Sequence, residues 1–168
     1  MALTTDQKTF FQEYGYLPYT RVVSDGELEA LCQRSEDIAE GRVTHVPSRY
    51  IQLEAAFRDD ATSRIDTVRK MTQLCYFDDL FQAVAKKPEI VDVIEDLLGP
   101  NIKLYTDQLM MKPRYNGTVT DWHQDSPAWP FFVPQDHVSC WVALDDATVE
   151  KRLYDRHPRQ PQMGTRHP

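Results

Sequence analysis

The apolar positions of the chain fall into two regimes, helical spacing in the first hundred residues and strand-like patterning after them. Thr4 to Tyr14 reads as a first helix, with Phe10 and Phe11 buried and Gly15 as its stop. The stretch YLPYTRVV that follows reads as a short extended segment. Ser24 to Glu40 is a second helix. Ser24 and Glu27 form an S-x-x-E capping box, Gly41 stands where a glycine ends the last turn, and Leu28, Leu31 and Ile38 make an apolar stripe. From Arg42 to Asp66 the pattern loses its period. That reads as loop and short turns, either lining a pocket or running over the surface, with His45 expected to be solvated. Val68 to Leu74 reads as extended and Phe77 to Ala85 as a helix. Pro88 opens another helix, with Ile90, Val91, Ile94, Leu97 and Leu98 apolar, and Gly99-Pro100 closes it.

From Asn101 the texture changes. IKLYTDQLMMKP is rich in β-formers and reads as a strand buried on both faces. Asn116-Gly117 is a hairpin signal, and a proline-bounded loop runs from Pro127 to Gln135. His137 to Leu144 alternates, with Val138, Cys140, Val142 and Leu144 on one face and Ser139, Trp141 and Ala143 on the other. Helices first and strands second predict an α+β domain, with a sandwich or barrel begun in the C-terminal half.

The 168 residues suffice for one domain with a sizeable core, and 41% hydrophobic residues fit a globular protein. A net charge of −7 argues against a nucleic-acid surface, which needs a basic stripe. No apolar run approaches membrane-spanning length, and the first ten residues lack the apolar core of a signal peptide. Cys32, Cys75 and Cys140 are scattered and form no CxxC pair, which predicts a reducing, cytoplasmic setting. Oligomeric state has no signature in these residues.

The candidate chemistry lies in TDWHQDSPAWPFF, residues 120–132. On a strand, residues i and i+2 share a side, so His123 and Asp125 can converge on one metal ion. An imidazole and a carboxylate are two-thirds of the 2-His-1-carboxylate set that suits non-haem Fe(II) oxygen chemistry. The alternative is a surface His–Asp pair. Trp129, Phe131 and Phe132 beside the pair either face an apolar substrate or pack under their loop.

The context of the pair decides between these. FxxxGYL (Phe11, Gly15, Tyr16, Leu17), then QLMMKP, a short turn, WHQDSPAWPF and VSCWVALDDAT resemble the phytanoyl-CoA dioxygenase family of Fe(II)/2-oxoglutarate oxygenases. The resemblance runs in order from Phe11 to Thr148. It implies a double-stranded β-helix, a jelly roll carrying N-terminal helices, with His123 and Asp125 as the catalytic metal ligands. It further implies that Lys70 (in VRKM), Gln108 and Trp141 bind the 2-oxoglutarate co-substrate. Read without the family, Lys70 is an ordinary exposed lysine and Trp141 plain core packing. The implied reaction couples oxidative decarboxylation of 2-oxoglutarate at Fe(II) to hydroxylation of a C–H bond in a small-molecule substrate.

After Glu150 the resemblance stops. The family continues with an Asn-Gly-Cys turn and a strand ending in Pro-Gly-Ser-His, whose His is the third ligand, and later an arginine for the co-substrate. Here KRLYDRHPRQPQMGTRHP follows, nearly free of apolar residues and unable to form a barrel strand. One permitted codon set for Glu150 to Gln162, read with a single A removed from its opening A-run, encodes Glu-Asn-Gly-Cys-Met-Ile-Val-Ile-Pro-Gly-Ser-His. The hypothesis is therefore that residues 1–150 form a partial family domain and that 151–168 are an out-of-frame, disordered tail, which resequencing through the A-run decides. His157 and His167 each precede proline without a strand pattern and are not expected to replace the missing ligand. The jelly roll is then incomplete and catalysis impaired. Two other classes remain open: a non-catalytic remnant that binds a ligand or partner, and a cupin-like metal-binding or isomerase domain that needs no 2-oxoglutarate.

Overall fold

Helix ends with their own caps open the fold. A computed structural model describes residues 3–59, 64–112, 123, 125–133, 136–146 and 148. The hairpin signal at Asn116-Gly117 and the whole of 151–168 lie outside them. Helix α1 (Thr5–Tyr14) begins with a capping box: Thr4 Oγ1 accepts the Gln7 N–H and Gln7 Oε1 accepts the Thr4 N–H. It ends at Gly15, whose φ of 74° is the left-handed conformation that glycine adopts without strain. Phe10 and Phe11 are half-buried rather than buried. Phe10 spends its apolar surface on its own neighbours, with ring centroids 4.6 Å from Tyr14 and 5.4 Å from Tyr16.

Helix α2 (Asp25–Ala39) carries the expected Ser24–Glu27 capping box. Its end is a Schellman motif, with Gly41 N–H donating to Ile38 O and Arg42 N–H to Asp37 O. Leu31, Ser35, Ile38 and Ala39 form its buried face, while Leu28 is half-buried. Glu27 also receives the Lys87 ammonium at 2.8 Å. That bond, with those from the Ser24 backbone and hydroxyl, holds the Glu27 carboxyl down at about 2. Lys87 is the N-cap of α5 (Pro88–Leu98), so one carboxylate joins the starts of two helices. The proline start and Gly99 end of α5 are as expected, but the residue it buries is Val93, while Ile90, Val91, Ile94 and Leu97 are half-buried.

The region expected to be irregular, 42–66, contains strand β1 (Ile51–Leu53) between two single 3-10 turns. Three residues are too few to display a period of two. β1 pairs antiparallel with β2 (Val68–Thr72), and β2 with β3 (Gln108–Met110), in the order β1-β2-β3. In the first ladder Gln52 faces Lys70 but Leu53 faces Val68, so Arg69 is an extra residue in β2. That bulge turns both Val68 and Met71 to the same face, where strict alternation would separate them. Ile38 and Ala39 of α2, Val46, Val68, Met71 and Leu74 make the core, with Ile51, Leu53, Phe77, Phe81, Leu109 and Met111 packed around it.

The segment 101–112 is not a strand buried on both faces. Only Gln108–Met110 is strand, and Leu104, Tyr105 and Met110 are exposed. After β2 the chain reverses at Gln73, whose φ is 60°, and α3 (Leu74–Phe77) begins, one residue inside the stretch expected to be extended. Asp107 fixes this reversal. Its backbone O accepts from Gln73 N–H at 3.1 Å and its carboxylate from Leu74 N–H and Cys75 N–H at 2.8 and 3.2 Å. Helix α4 (Asp79–Ala85) starts from its N-cap Asp78. Residues 136–143 carry no regular structure, although Ser139, Trp141 and Ala143 are more exposed than Val138 and Val142; Cys140 is exposed, against expectation. The outcome is α+β. Among the described residues no helix is long and apolar enough to cross a membrane.

The register makes Met71 a core residue at 0% exposure and Met110, one position along the facing strand, an outer one at 42%. Met71→Ala is expected to cost about 2–5 kcal/mol in urea unfolding and Met110→Ala less than about 1. Equal losses would contradict this register.

Candidate metal and co-substrate site

His123 and Asp125 come together immediately before a turn. Asp125 O accepts the Ala128 N–H at 2.9 Å, closing a 3-10 turn over Ser126–Ala128, and Trp129 O accepts from Phe132 N–H at 3.2 Å. His123 Nε2 and Asp125 Oδ1 lie 3.6 Å apart, with the side chains 55% and 43% exposed. That is too long for a good hydrogen bond. Two adjacent donors on an octahedral ion at roughly 2.1 Å each stand about 3 Å apart, so a small side-chain rotation brings both onto one metal. An imidazole nitrogen with a carboxylate oxygen is a donor set that fits Fe(II). Among the described residues no third His, Cys, Asp or Glu completes the group.

The turn that sets Asp125 also sets an aromatic cluster. Tyr105 packs edge-on against Trp129 (5.6 Å) and Phe132 (4.7 Å), and Trp129 lies 5.5 Å from the His137 ring. Tyr105 stands three residues before Gln108, so these rings tie the His123–Asp125 segment to the lead-in of β3. Trp129 and Phe132 are half-buried, and Phe131 is 63% exposed.

Lys70 and Gln108 are brought onto one face of the sheet. Met71, Leu109 and Ile51 face the core, so their strand neighbours Lys70, Thr72, Gln108, Met110 and Gln52 face the other way. Lys70 is half-buried, not the freely exposed lysine of the alternative, and among the described residues it pairs with no carboxylate. Trp141 is 54% exposed, so core packing does not account for it.

The structure corrects His45. Its Nε2 lies 2.7 Å from Asp78 Oδ2, the oxygen that also accepts from Arg34 at 2.6 Å, while Asp78 Oδ1 accepts the Leu80 N–H. The Asp78 side chain is fully buried. An aspartate directly before DLFQAVA is an N-cap signal that the sequence offers. Arg34 and His45, 44 and 33 residues away, have no sequence signal as its partners. The thiols are passive. Burial, then the charge and hydrogen bond of Asp107, push Cys75 up to about 12, and burial raises Cys32, whose Sγ contacts Leu144 O at 3.4 Å.

Residues 11–151 match the phytanoyl-CoA dioxygenase (PhyH) family, and the chain belongs to it. A probable phytanoyl-CoA dioxygenase of Caenorhabditis elegans is 30% identical over 156 residues, covering 87% of this chain and 49% of that protein. The L-proline trans-4-hydroxylase of Streptomyces griseoviridis is 28% identical over 148 residues, covering 86% and 50%. In fold, the chain resembles EctD from S. alaskensis, solved with bound Fe, at a TM-score of 0.62 and 20% identity over 76% of this chain and 42% of that one. The chain spans about half the length of the curated relatives it matches.

Asp78 supplies a pH test. Burial raises its carboxyl pKa, but the bonds from His45, Arg34 and the Leu80 N–H outweigh burial and leave it below the usual value of 3.8. A depressed folded pKa means stability that is present above the unfolded value and lost as pH falls through the folded one. Asp78→Ala is expected to cost about 2–4 kcal/mol at pH 7 in urea unfolding, from the lost cap and charged hydrogen bonds. It should also flatten the decline in stability below about pH 4. An unchanged acid limb in the variant would rule out this role.

Proposed function

We propose that this chain carries part of an Fe(II)- and 2-oxoglutarate-dependent dioxygenase that hydroxylates a small organic substrate. The observation that carries this is the approach of His123 Nε2 to Asp125 Oδ1, 3.6 Å apart, in a chain of the PhyH family. His123 and Asp125 would hold the iron. The iron, when bound, supplies oxygen activation coupled to loss of carbon dioxide from 2-oxoglutarate. Lys70 supplies a positive charge for a co-substrate carboxylate, the Gln108 amide a hydrogen-bond donor, and Trp141 an apolar wall. The rings of Trp129, Phe131 and Phe132 limit water beside the metal pair.

Relatives named for phytanoyl-CoA, proline and ectoine support a small-molecule substrate. The proposal includes the fold detail: β1–β3 are a portion of a double-stranded β-helix, carried by residues 1–150. The family's third ligand and arginine are not supplied by 151–168, so turnover by the 168-residue chain is low. Three unpaired cysteines agree with a reducing compartment such as the cytoplasm.

Anaerobic Fe(II) titration of the 168-residue protein tests the metal pair. His123→Ala and Asp125→Ala should each weaken iron binding by at least about 10-fold, since even changes beyond the ligands cost that much. Iron affinity indifferent to both substitutions would sink the proposal and favour a non-catalytic binding module. Oxygen-dependent 2-oxoglutarate consumption should rise when the message is read with one A fewer after Glu150.

A further inference from the structure

The geometry points to Thr72 as a further residue that positions the co-substrate, between Lys70 and Gln108. This rests on the co-substrate reading above and adds a group that neither the family resemblance nor the sequence pattern singles out.

The argument starts from the ladder between β2 and β3. Met111 N–H donates to Arg69 O and Gln73 N–H to Asp107 O, so the pairs 69/111 and 73/107 carry the backbone hydrogen bonds. In an antiparallel ladder such pairs alternate with non-hydrogen-bonded ones. Lys70–Met110 and Thr72–Gln108 are therefore the narrow pairs, with Cα atoms about 4.5 Å apart and their side chains closest. All four point away from the core. They form the corners of one patch: Lys70 and Gln108 on a diagonal, Thr72 at a polar corner and Met110 at an apolar one.

A carboxylate held between the Lys70 ammonium and the Gln108 amide lies beside Thr72, the cross-strand neighbour of Gln108 and the same-face neighbour of Lys70. That hydroxyl has no hydrogen-bond partner among the described residues, and neither has the Gln108 amide. The Thr72 O–H can donate to the carboxylate while Met110 packs against the methylenes of the same ligand. One cation, two neutral donors and one thioether match a dicarboxylate with a short apolar middle. Thr72 is also the last residue of β2, because the chain reverses at Gln73. The reversal fixes the backbone at that corner.

The test is calorimetric titration of 2-oxoglutarate into the 168-residue protein with Fe(II), without oxygen. Thr72→Val keeps the shape and deletes the hydroxyl. It should weaken binding by about 10-fold or more, as expected for a hydrogen bond to a charged group. Thr72→Ser should stay within about threefold of the parent, and neither variant should change the melting temperature. In turnover, KM for 2-oxoglutarate should rise in Thr72→Val while kcat holds. If Thr72→Val binds as the parent does while Lys70→Met binds weakly, the assignment of Thr72 is wrong and the co-substrate reading stands. If Lys70→Met and Gln108→Ala also bind as the parent does, or the parent binds no 2-oxoglutarate, both are overturned.

Discussion

One extra residue, Arg69, decides that Val68 meets the core together with Met71. Side chains on a strand alternate faces without exception, so Val68 and Met71 cannot share a face unless a residue is inserted between them. The insertion adds Val68 to the core face that Met71, Leu109 and Ile51 share, while Lys70, Thr72 and Gln108 alternate with them onto the other side. Packing and candidate chemistry are thus separated by the pleat itself. Removing the bulge would exchange them over part of β2.

Charged groups tie the helices to one another at a few points. Glu27 caps α2 and receives Lys87 from the start of α5, and Asp78 caps α4 and receives Arg34 from α2 and His45 from the following loop. Each carboxylate satisfies local backbone and distant side chain at once, so the cap is complete only when the tertiary contact is made. Of the exposed large apolar residues, Tyr14, Tyr76 and Leu98 lie on the helices, and the others are Leu104, Tyr105, Met110, Phe131, Val133 and Trp141. The latter six lie on the segments that carry or adjoin the proposed site.

Where the signal was local, the sequence was sufficient. Capping residues and glycine stops delimited α1, α2 and α5 to within a residue, and the two-residue spacing of His123 and Asp125 anticipated their approach. Patterning along the chain, however, does not reveal whether a β-forming stretch finds a ladder partner. The same gap explains 101–107, where β-forming residues occur without a strand. β1 was too short to show its period, and the bulge hid the alternation in β2. The partners of Asp78 are separated by dozens of residues, and no local pattern encodes such a meeting. Lys70 and Gln108 were named through the family, and only the register shows that they share a face.

The reversal at Gln73 has a consequence for how this site can change over time. A non-glycine held at φ 60° costs on the order of 1 kcal/mol, and Asp107 and Thr106 hold it there through the backbone and the amide. The end of β2 is therefore fixed from outside the strand, independently of the side chain at position 72. Substitutions at that corner alter the chemistry of this face of the sheet while its backbone is kept, so a lineage can change what the face presents without rebuilding the fold beneath it.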